Sequence, residues 1–231
     1  MQGYFITGTD TGVGKTLTSC VLLQALAQQN LRVAGYKPVA SGCEQTADGL
    51  RNSDAQFLLA HSNIALDYAS VNPYALAEPI APHWAAKLAG RDIDLPFLLD
   101  QARALGSRVD RLIVEGAGGF LVPLNDRENF ADLAEALQFP VILVVGLRLG
   151  AINHALLSAE AILKRGLTLA GWVGNAAWPE PVPAGTLETL DARMPAPRLA
   201  VFAHQPDPSI SALAEVLQAR FTLILPPWSY R

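Results

Sequence analysis

Nine consecutive residues near the start of the chain, Gly8-Thr9-Asp10-Thr11-Gly12-Val13-Gly14-Lys15-Thr16, combine three glycines with a lysine and hydroxyls. Such a loop can cradle phosphate oxygens, because backbone N–H groups turned inward at a helix N-terminus make a concave anion site. Gly12 and Gly14 permit close backbone approach, Lys15 brings a point charge to the β and γ phosphates, and Thr16 offers a hydroxyl to Mg²⁺. Thr9 stands where the common G-x-x-x-x-G-K-T pattern has its first glycine, and Gly8 lies one residue earlier, so the loop is longer by one. A dinucleotide-binding turn fails on spacing, since Leu17 falls at its third glycine. The motif leaves ATPases, GTPases and kinases open. The chain has no N/T-K-x-D guanine-reading sequence, which disfavours GTP. Asp10 and Thr11 occupy the region where protein- and plasmid-positioning ATPases carry an extra lysine.

In a parallel sheet, ligands sit beyond the carboxyl ends of the strands. Read there, the sequence places Lys37 and Ser41 after one apolar run, Glu115-Gly116-Ala117-Gly118-Gly119 after a second, Gly146–Gly150 after a third and Gly174-Asn175 after a fourth. A carboxylate such as Glu115, set among buried strands, is costly without a cation. Mg²⁺ would supply one, with Thr16 and Glu115 as two oxygen ligands on one edge. Lys37 on its own reads equally well as a solvated charge. Asp54 is either a third oxygen ligand or a charge favoured at a helix start. Cys20 and Cys43 read as small, buried or half-buried residues rather than nucleophiles. His61, His83, His154 and His204 show no paired metal spacing and read as structural or surface residues.

The elements that must position these groups are βαβ units. Short, evenly apolar runs suit strands covered on both faces: Tyr4–Thr7, Arg32–Tyr36, Arg111–Glu115, Val141–Val145, Leu169–Val173 and a weaker Leu199–Phe202. Helices are predicted over Lys15–Gln29, Asp54–His61 after a Ser53 cap, Pro96–Leu105 between the cap Asp94 and the stop Gly106, Phe130–Leu137, Ala151–Arg165 ended by Gly166, and Ile210–Ala219. The Pro- and Ala-rich stretch Asn175–Pro197 reads as a surface excursion. The expected fold class is α/β: a P-loop NTPase-like, doubly wound, mostly parallel sheet with helices on both faces, as a single domain over residues 1–231.

The composition agrees. Of 231 residues, 51% are hydrophobic and 16% charged, and 17 Lys and Arg against 21 Asp and Glu leave a net charge of −4. Disorder is excluded and a nucleic-acid-wrapping surface is disfavoured. Two cysteines without a C-x-x-C pair argue against a disulfide scaffold or structural zinc and fit a reducing compartment. The opening MQGYFITGTD does not read as a secretory signal. No apolar run reaches the roughly 18 residues of a membrane span. A cytoplasmic protein is expected. The terminal Leu223–Arg231 stretch, broken by prolines, does not read as a membrane-binding amphipathic tail.

Taken in order, the segments Thr7–Thr16, Ala34–Gly42, Leu50–Asp54, Asn72–Tyr74, Ala77–Pro79, Pro82-His83, Val114–Gly119, Pro140–Gly150 and Ala170–Asn175 resemble the dethiobiotin synthetase family over about residues 4–175. The resemblance implies an ATP- and Mg²⁺-dependent cyclo-ligase acting on 7,8-diaminononanoate and CO₂, through a carbamate and a carbamic–phosphoric anhydride, to give dethiobiotin, ADP and phosphate. It implies Lys37 and Lys15 as catalytic residues and Thr16, Asp54 and Glu115 as metal ligands. Nucleotide contacts are implied at Gly12, Val13, Gly14, Lys15, Thr16, Leu17, Asp54, Glu115, Gly116, Ala117 and Gly118, with Asn175 at the adenine edge and Ala203 in the base pocket. Thr11 and Ser41 are implied to contact the diamine or its carbamate. The family is a homodimer, and its substrate carboxylate meets the helix start corresponding to Gly150–Asn153 of the other subunit, which implies Gly150 and Asn153 as substrate-binding.

The sequence departs from the family in two places. Gly12 stands where the family often has Glu, and Ala203 stands where it commonly has a proline turn beside the adenine. Two alternatives carry their own discriminators. An amidoligase acting on a cobyrinate-like carboxylate would need a glutamine-hydrolysing domain for which the chain leaves little room. A nucleotide-dependent switch or positioning ATPase without a small-molecule substrate would need the missing loop lysine.

Overall fold

The computed structural model describes the backbone of residues 1–224 and the side chains of residues 1–218. All but two residues of the Leu223–Arg231 tail therefore lie outside the described residues. The chain runs β1 (Gly3–Gly8), α1 (Lys15–Ala27), β2 (Val33–Tyr36), β3 (Val39–Ala40), β4 (Glu44–Thr46), β5 (Gly49–Arg51), α2 (Ser53–His61), α3 (Tyr68–Val71), β6 (Tyr74–Ala75), α4 (Pro82–Leu88) and α5 (Leu95–Gly106). It continues with β7 (Arg111–Gly119), α6 (Phe130–Leu137), β8 (Val141–Gly146), α7 (Ala151–Lys164), β9 (Leu169–Asn175), α8 (Thr186–Arg193), β10 (Arg198–Phe202) and α9 (Ile210–Ile224).

Six strands form one sheet in the order β10-β9-β8-β1-β7-β2, every neighbouring pair parallel. Alternation along the strands divides the core. Phe5, Tyr36, Val114 and Leu143 face a cluster closed by α5, α6 and α7. Tyr4, Ile6, Ile113 and Val144 face a second cluster closed by α1, α2 and α9. With both faces covered, every residue of β1 and β8 is buried, which is why neither run alternates in polarity. The chain leaves β1, crosses to the edge at β2, returns to β7 and then continues past β1 to β8. The strand order thus reverses around β1, and the phosphate loop sits at that reversal.

All six predicted sheet strands are present, several a residue or two longer at the carboxyl end and β7 longer by four, so that Gly116–Gly119, read as the segment after the strand, closes the strand itself. The predicted helices are present with small corrections. Asn52, not Ser53, caps α2, its side chain accepting from the Ala55 N–H. Asp94 caps α5 as expected, but Gly106 is the last helical residue instead of the stop. The stretch taken as a surface excursion contains α8, which buries Leu190; its Pro- and Ala-rich flanks hide a helix of only two turns. The ribbons β3–β6 and β4–β5 and the helices α3 and α4 were too short to carry a period.

Helix α2 is seated directly on β2. A Cβ on Gly35 would lie 2.7 Å from the Leu58 Cβ, and Leu58 is fully buried. Gly35→Ala is therefore expected to lower stability by about 1–3 kcal/mol through overpacking. Urea unfolding checks this; an unchanged midpoint would mean the two elements are not in such close contact.

Candidate functional site

The phosphate loop is held from three sides. Thr9 ties it to β8: its N–H donates to Val144 O (2.9 Å) and its hydroxyl accepts from Gly146 N (3.3 Å). Thr9 thus takes the first glycine's place while doing anchoring work. The Val13 side chain is buried, and the Val13 carbonyl accepts from Asn175 Nδ2 (2.9 Å). Gly14 adopts φ 95°, and a Cβ there would sit 2.1 Å from that same Asn175 amide. Glycine is required at this position both by its left-handed backbone and by this close approach. Asp10 is braced by its ion pair with Arg148 (2.5 Å) and accepts the Thr11 N–H (2.7 Å). The Arg148 guanidinium also stacks 4.7 Å over Trp178.

Lys15 folds back onto the loop, donating to Asp10 O (2.8 Å). Burial, reinforced by Lys37, pulls its pKa down to about 8, against the opposing pull of Glu115, Asp54 and Asp10. A lysine held this way is poised to gain from an arriving polyanion.

Beside it lies a buried charge network. Lys37 Nζ donates to Glu115 Oε1 (2.5 Å), Asp54 Oδ2 (3.1 Å) and Gly116 O (3.2 Å). Three ammonium protons meet three acceptors. Glu115 Oε1 also accepts from Thr16 Oγ1 (2.9 Å), and Oε2 lies 2.7 Å from Ser19 Oγ. Glu115 is wholly buried and Lys37 is 3% exposed. Burial on its own would lower the Lys37 pKa, but Glu115 and Asp54 outweigh it and hold the ammonium above its ordinary value. Burial likewise works to raise Asp54, and Lys37 reverses the sign, keeping the carboxylate below its usual range. Lys37 is thus no solvated charge; it is the cation that Glu115 required.

These groups open onto a cleft of about 690 Å³. Of the predicted site residues, Thr11, Gly12, Gly14, Lys15, Thr16, Lys37, Ser41, Asp54, Ala117 and Gly118 line it. Glu115 and Gly116 join through Lys37, whereas Val13 is buried, does not line the cleft and has its carbonyl on Asn175. Leu17 packs against the core of α1. Asn175 is 5% exposed, with its amide nitrogen engaged by the loop. Gly150, Asn153 and Ala203 are exposed and are not among the residues lining this cleft. Cys20 and Cys43 are free and buried.

Sequence reasoning missed Ser19, Arg148 and Asn52, and an apolar wall of Pro79, Ile80, Ala81, Pro82 and Val122. Ser19 was findable, since it lies three residues after Thr16 on the same face of α1. The wall was not, because no period marks a loop.

The donor set suits a small hard cation. The carboxylates of Asp54 and Glu115 meet one ammonium and the Thr16 hydroxyl meets Glu115, and Mg²⁺ takes few protein carboxylates together with substrate phosphates. Among the described residues no group of three or more His, Cys, Asp or Glu side chains is arranged to hold a metal, so the candidate ligand set is these two carboxylates and one hydroxyl. Also among the described residues, no helix is long and apolar enough to cross a membrane.

Comparison with known proteins places these features in context. A family model described as an AAA domain matches residues 2–210. The chain is 53% identical over 197 residues to an ATP-dependent dethiobiotin synthetase of Escherichia coli K12, covering 85% of this chain and 88% of that one. It is 51% identical over 222 residues to an ATP-dependent dethiobiotin synthetase of Pseudomonas paraeruginosa, covering 95% and 97%. Among solved structures, the cell division ATPase MinD of Pyrococcus furiosus aligns over 96% of this chain and 99% of its own, with TM-score 0.56 and 14% identity. The septum site-determining protein MinD of Pyrococcus horikoshii, complexed with Mg-ADP, aligns over 95% of each chain with TM-score 0.55 and 16% identity. At that identity the likeness is one of fold.

Ser19→Ala removes a donor from a carboxylate that water does not reach. The expected loss is about 1–3 kcal/mol of stability, read by urea unfolding. Unchanged stability would show that Glu115 Oε2 is satisfied some other way.

Proposed function

The chain belongs to the dethiobiotin synthetase family of ATP-dependent ligases, and from that premise we propose that it carboxylates and cyclises 7,8-diaminononanoate with CO₂, converting ATP to ADP and phosphate as an oxygen of CO₂ passes to the phosphate. The observation that carries this reading is the Lys37 ammonium, set at the floor of the cleft between Asp54 and Glu115 and next to the phosphate loop.

One amine of the substrate adds to CO₂ as a carbamate, losing a proton. A carbamate oxygen attacks the γ-phosphorus and ADP departs with the bonding pair. The second amine then attacks the carbamoyl carbon and loses a proton, the C–O bond to phosphate breaks with its pair leaving on the phosphate, and a five-membered cyclic urea forms. Phosphoryl transfer of this kind asks for alignment and charge neutralisation more than covalent help. Lys15, released from Asp10 O, meets the β and γ phosphates. Lys37 balances charge on the carbamate and the transferring phosphoryl group. Thr11 and Ser41 on the cleft wall orient the diamine or its carbamate, and the backbone at Gly116–Gly118 lies along phosphate or substrate. Gly12 and Gly14 let the loop backbone close on the phosphates. Thr16, Asp54 and Glu115 would hold Mg²⁺, which neutralises phosphate charge when bound. The apolar wall suits the alkyl part of a diamine carboxylic acid, and ring closure gains from holding both amines in one molecule.

Asn175, Leu17 and Ala203 are assigned to the nucleoside end. Gly150 and Asn153 are assigned to the substrate carboxylate of a partner protomer in a homodimer. Gly150 and Asn153 are exposed at the start of α7, and the positive end of the helix dipole there supports that role. The ligase is read as one domain, cytoplasmic, without nucleic-acid or membrane partners.

Incubation with ATP, Mg²⁺, bicarbonate and 7,8-diaminononanoate, followed by mass spectrometry, tests the reading. The cyclic urea should appear, and ADP should be released only when both CO₂ and the diamine are present. Rapid ATP hydrolysis with neither would favour a nucleotide switch. Lys37→Ala should abolish product while ATP still binds; retention of most activity removes Lys37 from the mechanism. Lys15→Ala should weaken nucleotide binding as well as turnover, and unchanged affinity contradicts its phosphate role. Chelating Mg²⁺ should stop turnover, with restoration on adding it back.

A further inference from the structure

Lys37 is anchored at both ends, and its main-chain end leads into a hydrogen-bonded circuit that the reaction above does not use. The Lys37 N–H donates to Val71 O (2.8 Å), and the Lys37 carbonyl accepts from Asn72 Nδ2 (2.7 Å). Asn72 is 3% exposed, and its Oδ1 accepts from the Tyr68 hydroxyl (2.9 Å). That same hydroxyl accepts from the Asn52 N–H (2.8 Å). Asn52 is the cap of α2, and two residues on Asp54 reaches back to Lys37 Nζ at 3.1 Å. The circuit therefore closes: Lys37 backbone, Asn72, Tyr68, Asn52, Asp54, Lys37 ammonium.

Two separate chain segments carry the two charges. Lys37 follows β2, whereas Asp54 rides on the first turn of α2 and its side chain is partly exposed. Nothing covalent between residues 37 and 54 sets their separation, because the β3, β4 and β5 ribbons and their turns intervene. At the far end of α2 the Gly35 N–H meets Ser62 Oγ (3.0 Å), whereas at the end nearest the two charges the Tyr68 hydroxyl touches both sides. It uses its proton on the Asn72 side and a lone pair on the α2 side. The Arg51 guanidinium lies 4.3 Å over the Tyr68 ring, which holds the ring where the hydroxyl meets both partners.

We propose that Tyr68 and Asn72 are positioning residues: they fix the Lys37 backbone and the cap of α2 in one register, so that Asp54 and Lys37 meet in the geometry that the phosphoryl transfer uses. The proposal rests on the role given to Lys37 above. Loss of the Tyr68 hydroxyl leaves the Asn52 N–H and Asn72 Oδ1 without their shared partner, so the first turn of α2 loses its tie to the Lys37 backbone while the rest of the helix stays seated on β2. Nucleotide phosphates meet the loop and Lys15, which lie outside the circuit, and Asp54 keeps its carboxylate, so the larger effect falls on turnover.

The test is Tyr68→Phe, which keeps the ring and the Arg51 stack. The chain has four lysines, Lys15, Lys37, Lys87 and Lys164, so ammonium ¹H–¹⁵N signals of lysine-labelled protein can be assigned one by one, that of Lys37 by its disappearance in Lys37→Arg. In Tyr68→Phe the Lys37 signal should shift or broaden while those of Lys87 and Lys164 stay in place. The value of kcat should fall about tenfold with KM for ATP changed less than about twofold. Asp94→Ala, which removes the side-chain cap of α5 but keeps the Asp94 N–H that meets the Tyr74 hydroxyl, serves as a control of similar stability loss and should move neither readout. Asn72→Ala should repeat the pattern where it folds. A wild-type Lys37 signal with kcat within about twofold in Tyr68→Phe, or the same change in Asp94→Ala, overturns the proposal. The signal is read in the free protein, so it judges the circuit even if the diamine is not the substrate.

Discussion

The contact between Lys37 and Glu115 is the constraint around which the structure is arranged. Two opposite charges sit almost wholly out of water at the carboxyl edge of a parallel sheet. Desolvating either ion is expensive, and their attraction offsets that only if the remaining protons and lone pairs are also met. Here they are. Lys37 finds Asp54 and the Gly116 carbonyl, and Glu115 finds Thr16 and Ser19. Every element that supplies one of these partners is thereby committed to a position: β7 for Glu115, α1 for Thr16 and Ser19, the end of β2 for Lys37, α2 for Asp54.

A network satisfied so completely in the free protein is also one that binding can redistribute. Lys15 rests on a backbone oxygen of its own loop and is destabilised as a cation by burial and by Lys37. A polyphosphate relieves both effects at once. Asp54 is the only carboxylate of the group with substantial exposure, which places it where the protein network meets solvent and ligand. Thr9, Asn175 and the Asp10–Arg148 pair hold the phosphate loop against β8, β9 and the segment beyond them, with its left-handed positions filled by Gly12 and Gly14, which adopt them readily.

Much of this could be read from residues alone. The sheet strands were legible because runs such as Phe5-Ile6-Thr7 and Val141–Val145 are too apolar and too short for anything but strands buried on both faces. The phosphate loop was legible because its glycines, lysine and threonine stand between such a strand and a helix. Glu115 was legible as a carboxylate in need of a cation, but not which cation. Its partner Lys37 lies 78 positions away, and only the pairing of β2 with β7 brings the two ends side by side. The Asn52 cap, the Asn72 side chain and the Tyr68 hydroxyl were hidden for the same reason. Each is an ordinary loop or short-helix residue whose meaning comes from a partner far along the chain. Helix α8 was missed because prolines on either side obscured two turns with little amphipathic signal.

The claim that Lys37 and Glu115 exist for one another is most directly tested by a double-mutant cycle in urea. Lys37→Met should lower stability by about 3–5 kcal/mol, since it strands the buried Glu115 charge, Glu115→Gln should lower it by less because Lys37 keeps Asp54, and the double variant should lose far less than the sum. Losses that add to within about 0.5 kcal/mol would show two independent side chains and contradict the account.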